Sequence, residues 1–264
     1  MTIVVKVGGA LGNRLDPVVS DLVSRTDYVL VHGGSESVDR LAEALGRPSE
    51  YLTSPSGVVS RHNDPAQLAT VVMALAGTVQ TEAVAAFARR GVRAVGLSGV
   101  DGRLVLAERK LGVRAVVGER VVHVRDDWSG TITRVDGELL RGIAGLGCVP
   151  VIGPPAITAQ GEIVNVDADR IAAEVAVALE ADALVLLTNV PGLLRDTSDL
   201  ASLIRRVDRS EIDAVLPFAQ GRMRKKVLAA KRALAGGVGR VVIASSQVDG
   251  PVSHALAGEG TVFS

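Results

Sequence analysis

The chain is poor in cysteine, has no excess of either charge and contains no long apolar run, and each lack removes a class of function. The single cysteine, Cys148, lies in the apolar stretch GLGCVPVIG, so the 264 residues hold neither a disulfide framework nor a cysteine-rich metal site. A reducing cytoplasm is the expected location. Lys and Arg together number 29, as do Asp and Glu, so no global field draws the chain to nucleic acid or to a membrane surface. No charged leader precedes the first strand, and no uninterrupted apolar run approaches the roughly 20 residues that span a bilayer. An unprocessed soluble protein is expected. Low-complexity linkers and fixed-period repeats are also missing. Neither G-x-G-x-x-G opening a helix nor G-x-x-x-x-G-K-[ST] occurs, and the turn from Gly9 to Asn13 fits neither spacing, so two common phosphate fingerprints are excluded.

Apolar residues make up 47% of the chain, enough for one continuous core. Short apolar runs recur at 3–7, 28–32, 94–97, 149–153, 183–188 and 240–244, each bounded by glycine or a helix start, as buried parallel strands are. Segments with helical spacing lie between them, at 16–26, 36–46, 65–90, 136–146, 167–180 and 223–235. The alternation predicts an α/β fold. From Gly102 to Thr133 it breaks, and β-rich runs separated by glycines and charges predict hairpins inserted at the sheet edge. Pro154-Pro155 marks the expected hinge between two lobes, 1–155 and 156–264.

In open α/β sheets ligands gather beyond the carboxyl ends of the strands. Three glycine-bearing turns fall there: KVGGA after the first strand, HGGS after the second and NVPGLL after ALVLLT. Glycine lets backbone N–H groups approach an anion, although any strand-to-helix turn favours glycine. Lys6 alternates with valines inside the first strand, where an unpaired buried charge costs several kcal/mol, so it must reach a cleft or an anion, or else snorkel from an edge. In FAQGRMRKKV, basic residues open a helix against its dipole, an arrangement that a bound anion would relieve. In IVNVDADR, Asp167 suits an N-cap and Asp169 the first turn, a structural account that leaves Asn165 unexplained. Arg61, in SGVVSRHND, offers a fork for a carboxylate or is an exposed loop residue, and Asp64 is the expected cap of the next helix.

In order, K-x-GG, HGGS, R-x-N-D, N-V-D-A-D, T-N-V-P-G-L and G-x-M-x-x-K resemble the motifs of the amino acid kinase family, from residue 3 to the end of the chain. Within it the sequence is similar to the acetylglutamate kinase group, and most to the branch acting on carrier-linked substrates, the LysW-aminoadipate and LysW-glutamate kinases. The resemblance implies a three-layer αβα sandwich around a mainly parallel open sheet, with 1–155 holding an acyl substrate and 156–264 a nucleotide. It implies phosphoryl transfer from ATP, with Mg2+, to a side-chain carboxylate, giving an acyl phosphate. Lys6 and Lys226 would stabilise the transferring group and Asp169 would orient them. Gly34, Ser35, Arg61 and Asn165 would hold the acyl substrate, Arg61 through its carboxylate and Asn165 on its amino side. Gly8 and Gly9 would give N–H groups to the phosphates, and Thr188, Asn189, Gly192, Leu193, Gly221 and Met223 would line the nucleotide pocket. No protein-built metal site is expected. Ser35 and Asn189 replace the glycine and aspartate usual in acetylglutamate kinases, which favours the carrier-linked branch over N-acetylglutamate kinase, the alternative. The N-terminal helix of arginine-sensitive enzymes is missing, so arginine feedback is not expected.

The implied partner is a small acidic LysW-type carrier protein. Arg103, Arg109, Lys110, Arg114 and Arg120 of the insertion would meet it, diluted by Glu108, Glu119, Asp126 and Asp127, or else be idle solvated charges. The long helix at 65–90, with the family habit, implies a homodimer.

Overall fold

A computed structural model describes residues 1–9, 13–118 and 120–264. Ala10 to Gly12 of the first glycine turn, and Glu119 of the insertion, lie outside the described residues. The first half of the chain runs β1 (Ile3–Val7), α1 (Leu15–Leu22), β2 (Tyr28–His32), α2 (Ser35–Ala44), β3 (Tyr51–Thr53) and β4 (Val59–Arg61). A long helix follows as α3 (Pro65–Val72), a π-helical segment Met73–Val79 and α4 (Gln80–Ala88). Next come β5 (Ala94–Ser98), β6 (Val105–Arg109), β7 (Val113–Val117), β8 (Arg120–Val124), β9 (Gly130–Val135), α5 (Gly137–Gly145) and β10 (Val149–Gly153). The remainder is β11 (Ala156–Ile157), β12 (Ile163–Val164), α6 (Ala168–Ala178), β13 (Ala183–Thr188), β14 (Arg206–Val207) and α7 (Ile212–Val215). It ends with α8 (Gly221–Ala235), β15 (Arg240–Ser245), α9 (Pro251–Leu256) and β16 (Thr261–Phe263).

Eight strands form one sheet in the order β14-β16-β15-β13-β1-β2-β10-β5, parallel throughout except where β15 meets β16. The central strands β1, β2 and β13 are buried along their whole length, which explains why Val, Leu and Ile dominate them, with Lys6 the charged exception. The sheet divides the core into two layers instead of leaving one continuous mass. Val4, Val31 and Leu186 pack with Ile171 of α6 and Val227 of α8, while Val5, Leu30 and Leu187 pack with Leu22, Phe87 and Val252 on the other face. Because side chains alternate along β1, Lys6 shares the face of Val4 and points toward α6 and α8.

Two expectations need correction. The insertion follows edge strand β5, yet it does not extend the main sheet: β6 and β9 pair with each other and join β11 and β12 in a second four-stranded sheet. Pro154-Pro155, a cis pair, stands between β10 and β11, and the strand after it pairs with β6 instead of continuing the main ladder. β7 and β8 form a separate hairpin. Second, the helix Pro65–Ala88 is, at 24 residues, long and apolar enough by length and composition to cross a bilayer, with a mean hydropathy of 1.5 over its most apolar stretch. The polar residues Gln67, Thr70, Thr78, Gln80, Thr81 and Glu82 interrupt its apolar run, and of these Gln67, Thr70 and Gln80 are buried. Val71, Ala74 and Leu75 pack against Val38, while Ala83 and Phe87 pack under the sheet.

Candidate active site

The strand ends, the N-termini of α2, α6 and α8, the β3–β4 hairpin and the segment Lys110–Arg114 at the start of β7 surround a cavity of about 910 Å³. At its floor lie Lys6, Asp169 and Lys226, all at most 6% exposed. Lys6 Nζ is 2.7 Å from Asp169 Oδ1, and Lys226 Nζ is 3.0 and 2.9 Å from the two carboxylate oxygens. Asp167 caps α6, accepting from the N–H groups of Asp169 and Arg170 at 2.9 and 3.3 Å, so the second residue of the helix is aimed at the strand end. The first turns of α8 bring Lys226 to the same point, and Lys225 to 3.2 Å from Asp167. Two lysines from opposite ends of the sequence thus share one carboxylate, leaving the cluster with one positive charge in excess.

The electrostatics follow from that arithmetic. Burial disfavours ionisation of Asp169, but Lys226 and Lys6 outweigh it and hold the carboxyl well below the usual carboxylate range. Burial is the main influence on Lys226, and with repulsion from Lys6 it overcomes the attraction of Asp169, leaving the ammonium at about 8. An anion delivered to this floor would restore balance to a cluster that burial makes costly.

The glycine turns interlock beside it. A Cβ on Gly9 would collide with the backbone of Gly33 and Gly34, so that position admits no side chain, and one on Gly34 would have to displace Leu75 Cδ2. Gly33 N–H donates to Val7 O at 3.0 Å and Glu36 N–H to Gly9 O at 3.0 Å. Gly8 departs from its expected role: its N–H donates to Leu187 O at 3.1 Å, extending the sheet, which leaves Gly9 as the member of the pair that can turn its N–H to a phosphate. Ser35 commits its hydroxyl to Gly9 O at 3.1 Å.

Arg61 is buried at another wall of the cavity. Its Nη1 is 2.5 Å from Asp39 Oδ1 and also donates to Ser49 Oγ, its Nη2 donates to Ser35 O at 3.1 Å, and the guanidinium lies 5.1 Å from the centre of the Tyr51 ring. Tyr51 donates to Asp39 at 2.8 Å. Desolvation of Asp39 is overcome by Arg61, Ser49 and Tyr51, which hold it below its ordinary value. Asp64 caps α3 through Gln67 N–H at 2.7 Å. Asn165 lies close by, donating from Nδ2 to Asn63 Oδ1 at 2.8 Å.

Thr188, Asn189 and Gly221 line the cavity, whereas Gly192, Leu193 and Met223 do not. Leu193 is fully buried in the core, Met223 packs against the same core, and a Cβ on Gly192 would meet Thr261 Oγ1 at 2.6 Å. Sequence reasoning overlooked Asp39, Asn63, Asp127 and Ser129. Only Asn63 carried a signal, inside the quoted R-x-N-D. Of the insertion's basic residues, Lys110 and Arg114 reach the cavity rim. Arg109 stacks 3.5 Å over Trp128, and Arg103 donates to Ala159 O at 3.0 Å. Asp127, counted among the acids diluting that patch, is instead buried. Among the described residues no cluster of His, Cys, Asp and Glu is suited to hold a metal.

Comparison with known proteins identifies the family. The amino acid kinase family model matches residues 1–245. The chain is 48% identical to the [LysW]-aminoadipate kinase of Deinococcus radiodurans over 99% of its length and 91% of the relative's. It is 44% identical to the [LysW]-aminoadipate kinase of Thermus thermophilus, over 98% and 99%. Among solved structures it is similar to an N-acetylglutamate synthase from Neisseria gonorrhoeae, with a TM-score of 0.79 and 28% identity, covering 100% of this chain but only 59% of that one. It shares its fold with isopentenyl phosphate kinase, at a TM-score of 0.66, 16% identity and full coverage of both chains. With the ordered motifs and the family model covering nearly the whole described fold, the chain belongs to the amino acid kinase family.

Proposed function

We propose that the protein is an ATP-dependent kinase that phosphorylates the side-chain carboxylate of α-aminoadipate, or of glutamate, linked through its amino group to a small acidic LysW-type carrier in amino-acid biosynthesis. The observation that carries this reading is the Lys6–Asp169–Lys226 cluster, a buried surplus of positive charge facing two glycine turns. An oxygen of the acceptor carboxylate attacks the γ-phosphorus, an acyl phosphate bond forms, the bond to the bridging oxygen breaks and ADP leaves. Both reactants are anionic, so positioning and cationic stabilisation supply most of the catalysis. Lys6 and Lys226 face the transferring oxygens, and Asp169 keeps both ammonium groups at one point. Gly9 approaches the phosphates, and Gly34 borders the acyl substrate. Arg61 takes the substrate's free carboxylate and Asn165 its acylated nitrogen. Thr188, Asn189 and Gly221 border the nucleotide, with 1–155 serving mainly the acyl substrate and 156–264 mainly ATP.

Mg2+ fits this site only as a companion of ATP. Both oxygens of Asp169 are engaged by lysines, and the donor set otherwise suits anions. The ion would travel on the β- and γ-phosphates, where it supplies charge neutralisation.

Three further features fit the same reading. Lys110, Arg114, Arg222 and Lys225 give the cavity a cationic rim on a chain of zero net charge, as an acidic carrier would require. Exposed Ala69, Met73 and Gly77 give the long helix an apolar face suited to a second copy, and the protein is taken as a homodimer. The lone free cysteine suits the cytoplasm. The names carried by the relatives at 44–48% identity favour the carrier-linked substrate over free N-acetylglutamate. The deciding assay traps the acyl phosphate with hydroxylamine, using ATP with either carrier-linked aminoadipate or N-acetylglutamate. Turnover of the carrier-linked acid is expected. Robust turnover of N-acetylglutamate alone would overturn the assignment.

A further inference from the structure

Behind Asn165 lies a buried polar knot that joins three separated segments of chain. Asp127, only 1% exposed, accepts from Asn63 N–H at 3.1 Å and from Ser129 N–H at 2.9 Å. Asn63, 2% exposed, donates from Nδ2 to Arg61 O at 2.8 Å and to Ser129 Oγ at 3.0 Å. The backbones are tied as well: Trp128 N–H donates to Asn63 O, Asn165 N–H to Trp128 O and Gly130 N–H to Asn165 O, each at 2.8 Å. The common effect of these bonds is on Asn165, which lines the cavity.

The donors and acceptors force one orientation. A backbone carbonyl can only accept, so Asn63 must turn its nitrogen to Arg61 O and its oxygen to Asn165. Asn165 must then offer Nδ2 to that oxygen, as it does at 2.8 Å. Turning the Asn165 amide over would set two carbonyl oxygens against each other inside a buried site. Among the described residues none donates to Asn165 Oδ1, so the cavity receives an acceptor there.

We propose that Asn63, braced by Asp127 and Ser129, is a positioning residue that fixes the Asn165 amide, and that the substrate meets Asn165 Oδ1 with an N–H donor, the hydrogen of its acylated nitrogen. The substrate half of this inference rests on the kinase reading; the orientation of the amide does not. A substrate whose nitrogen carries no hydrogen is then rejected by an unpaired acceptor, a discrimination that shape alone supplies weakly.

The test combines kinetics with side-chain amide exchange followed by NMR on the full chain. Asn63→Ala is expected to raise KM for the acyl substrate about tenfold while kcat and KM for ATP stay within about twofold, and to add nothing in an Asn165→Ala background. A substrate N-methylated at the acylated nitrogen should lose about tenfold on wild type and nothing on Asn165→Ala. The Asn165 Nδ2 hydrogens should exchange more slowly in wild type than in Asn63→Ala. Additive effects of Asn63→Ala and Asn165→Ala, an equal fall in kcat, or exchange unchanged by Asn63→Ala would overturn the proposal. If Asn63→Ala does not fold, the N-methylated substrate and the wild-type amide decide: a tenfold loss together with slow Asn165 Nδ2 exchange supports the proposal, and no loss, or exchange at the rate of a free amide, overturns it. Should wild type phosphorylate neither acid, the kinase reading falls, and the exchange data alone then judge the positioning role.

Discussion

The cavity has two cationic walls built on different balances. At the floor two buried lysines share Asp169, and one positive charge is left over. At the Arg61 wall one guanidinium meets one carboxylate, Asp39, which is 36% exposed at its side chain, and the pair is neutral. The first arrangement is incomplete without an anion, whereas the second is already satisfied and serves to aim a fork that has N–H groups to spare. In the proposed mechanism, the charge surplus lies where charge develops during the reaction, and the balanced pair lies where the substrate is held.

Removing a lysine should break this contrast most visibly. Lys6→Ala and Lys226→Ala are each expected to lower kcat by about 10²–10³, with little change in KM for the acyl substrate. Steady-state kinetics with both substrates varied checks this, and an unchanged kcat would remove these lysines from the mechanism. Asp169→Asn should instead act on the fold, because it leaves two buried ammonium groups without their counter-ion. A loss of about 3–5 kcal/mol is expected in urea unfolding at pH 7. Since the carboxyl of Asp169 is depressed in the folded protein, its stabilisation is present above its unfolded value of 3.8 and is lost as pH falls below that value toward the lower folded one.

Arg61→Ala tests the other wall and should raise KM for the acyl substrate by about 10- to 100-fold, more than it lowers kcat. A fall confined to kcat would merge the two walls into one function. The pH profile separates them again. Lys226 carries its charge below about 8 and loses it above, so kcat/KM should fall on the alkaline side near that pH. Lys226→Arg should shift this limb to higher pH, because a guanidinium stays charged throughout. The smallest effect is expected at the rim. Arg114→Glu should raise KM several-fold, by about 1 kcal/mol, for the carrier-linked acid alone, and the loss should shrink as salt rises.

Much of this site was legible along the chain. Lys6 is conspicuous because a charge within a buried strand violates the pattern around it, and the basic opening of α8 violates the helix dipole in the same way. Such violations can be seen without a structure, since they conflict with a local rule. Asp39, Asn63 and Asp127 break no local rule. Asp39 sits on a helix where an aspartate is ordinary, and Asp127 among the charges of a hairpin insertion reads as solvated. Their roles exist only through partners that fold next to them, at Arg61 and at Asn165.

The same division runs through the whole molecule. Strand and helix alternation, the buried β1 and the caps at Asp64 and Asp167 follow from hydrophobic period and local hydrogen bonding, which act over a few residues and are written in order. The pairing of the insertion with β11 and β12, the commitment of Gly8 to Leu187, the burial of Leu193 and the meeting of Lys6 with Lys226 at one carboxylate were decided by contacts between distant segments. Those depend on sheet register and on which face a side chain takes, quantities that no short window of sequence contains.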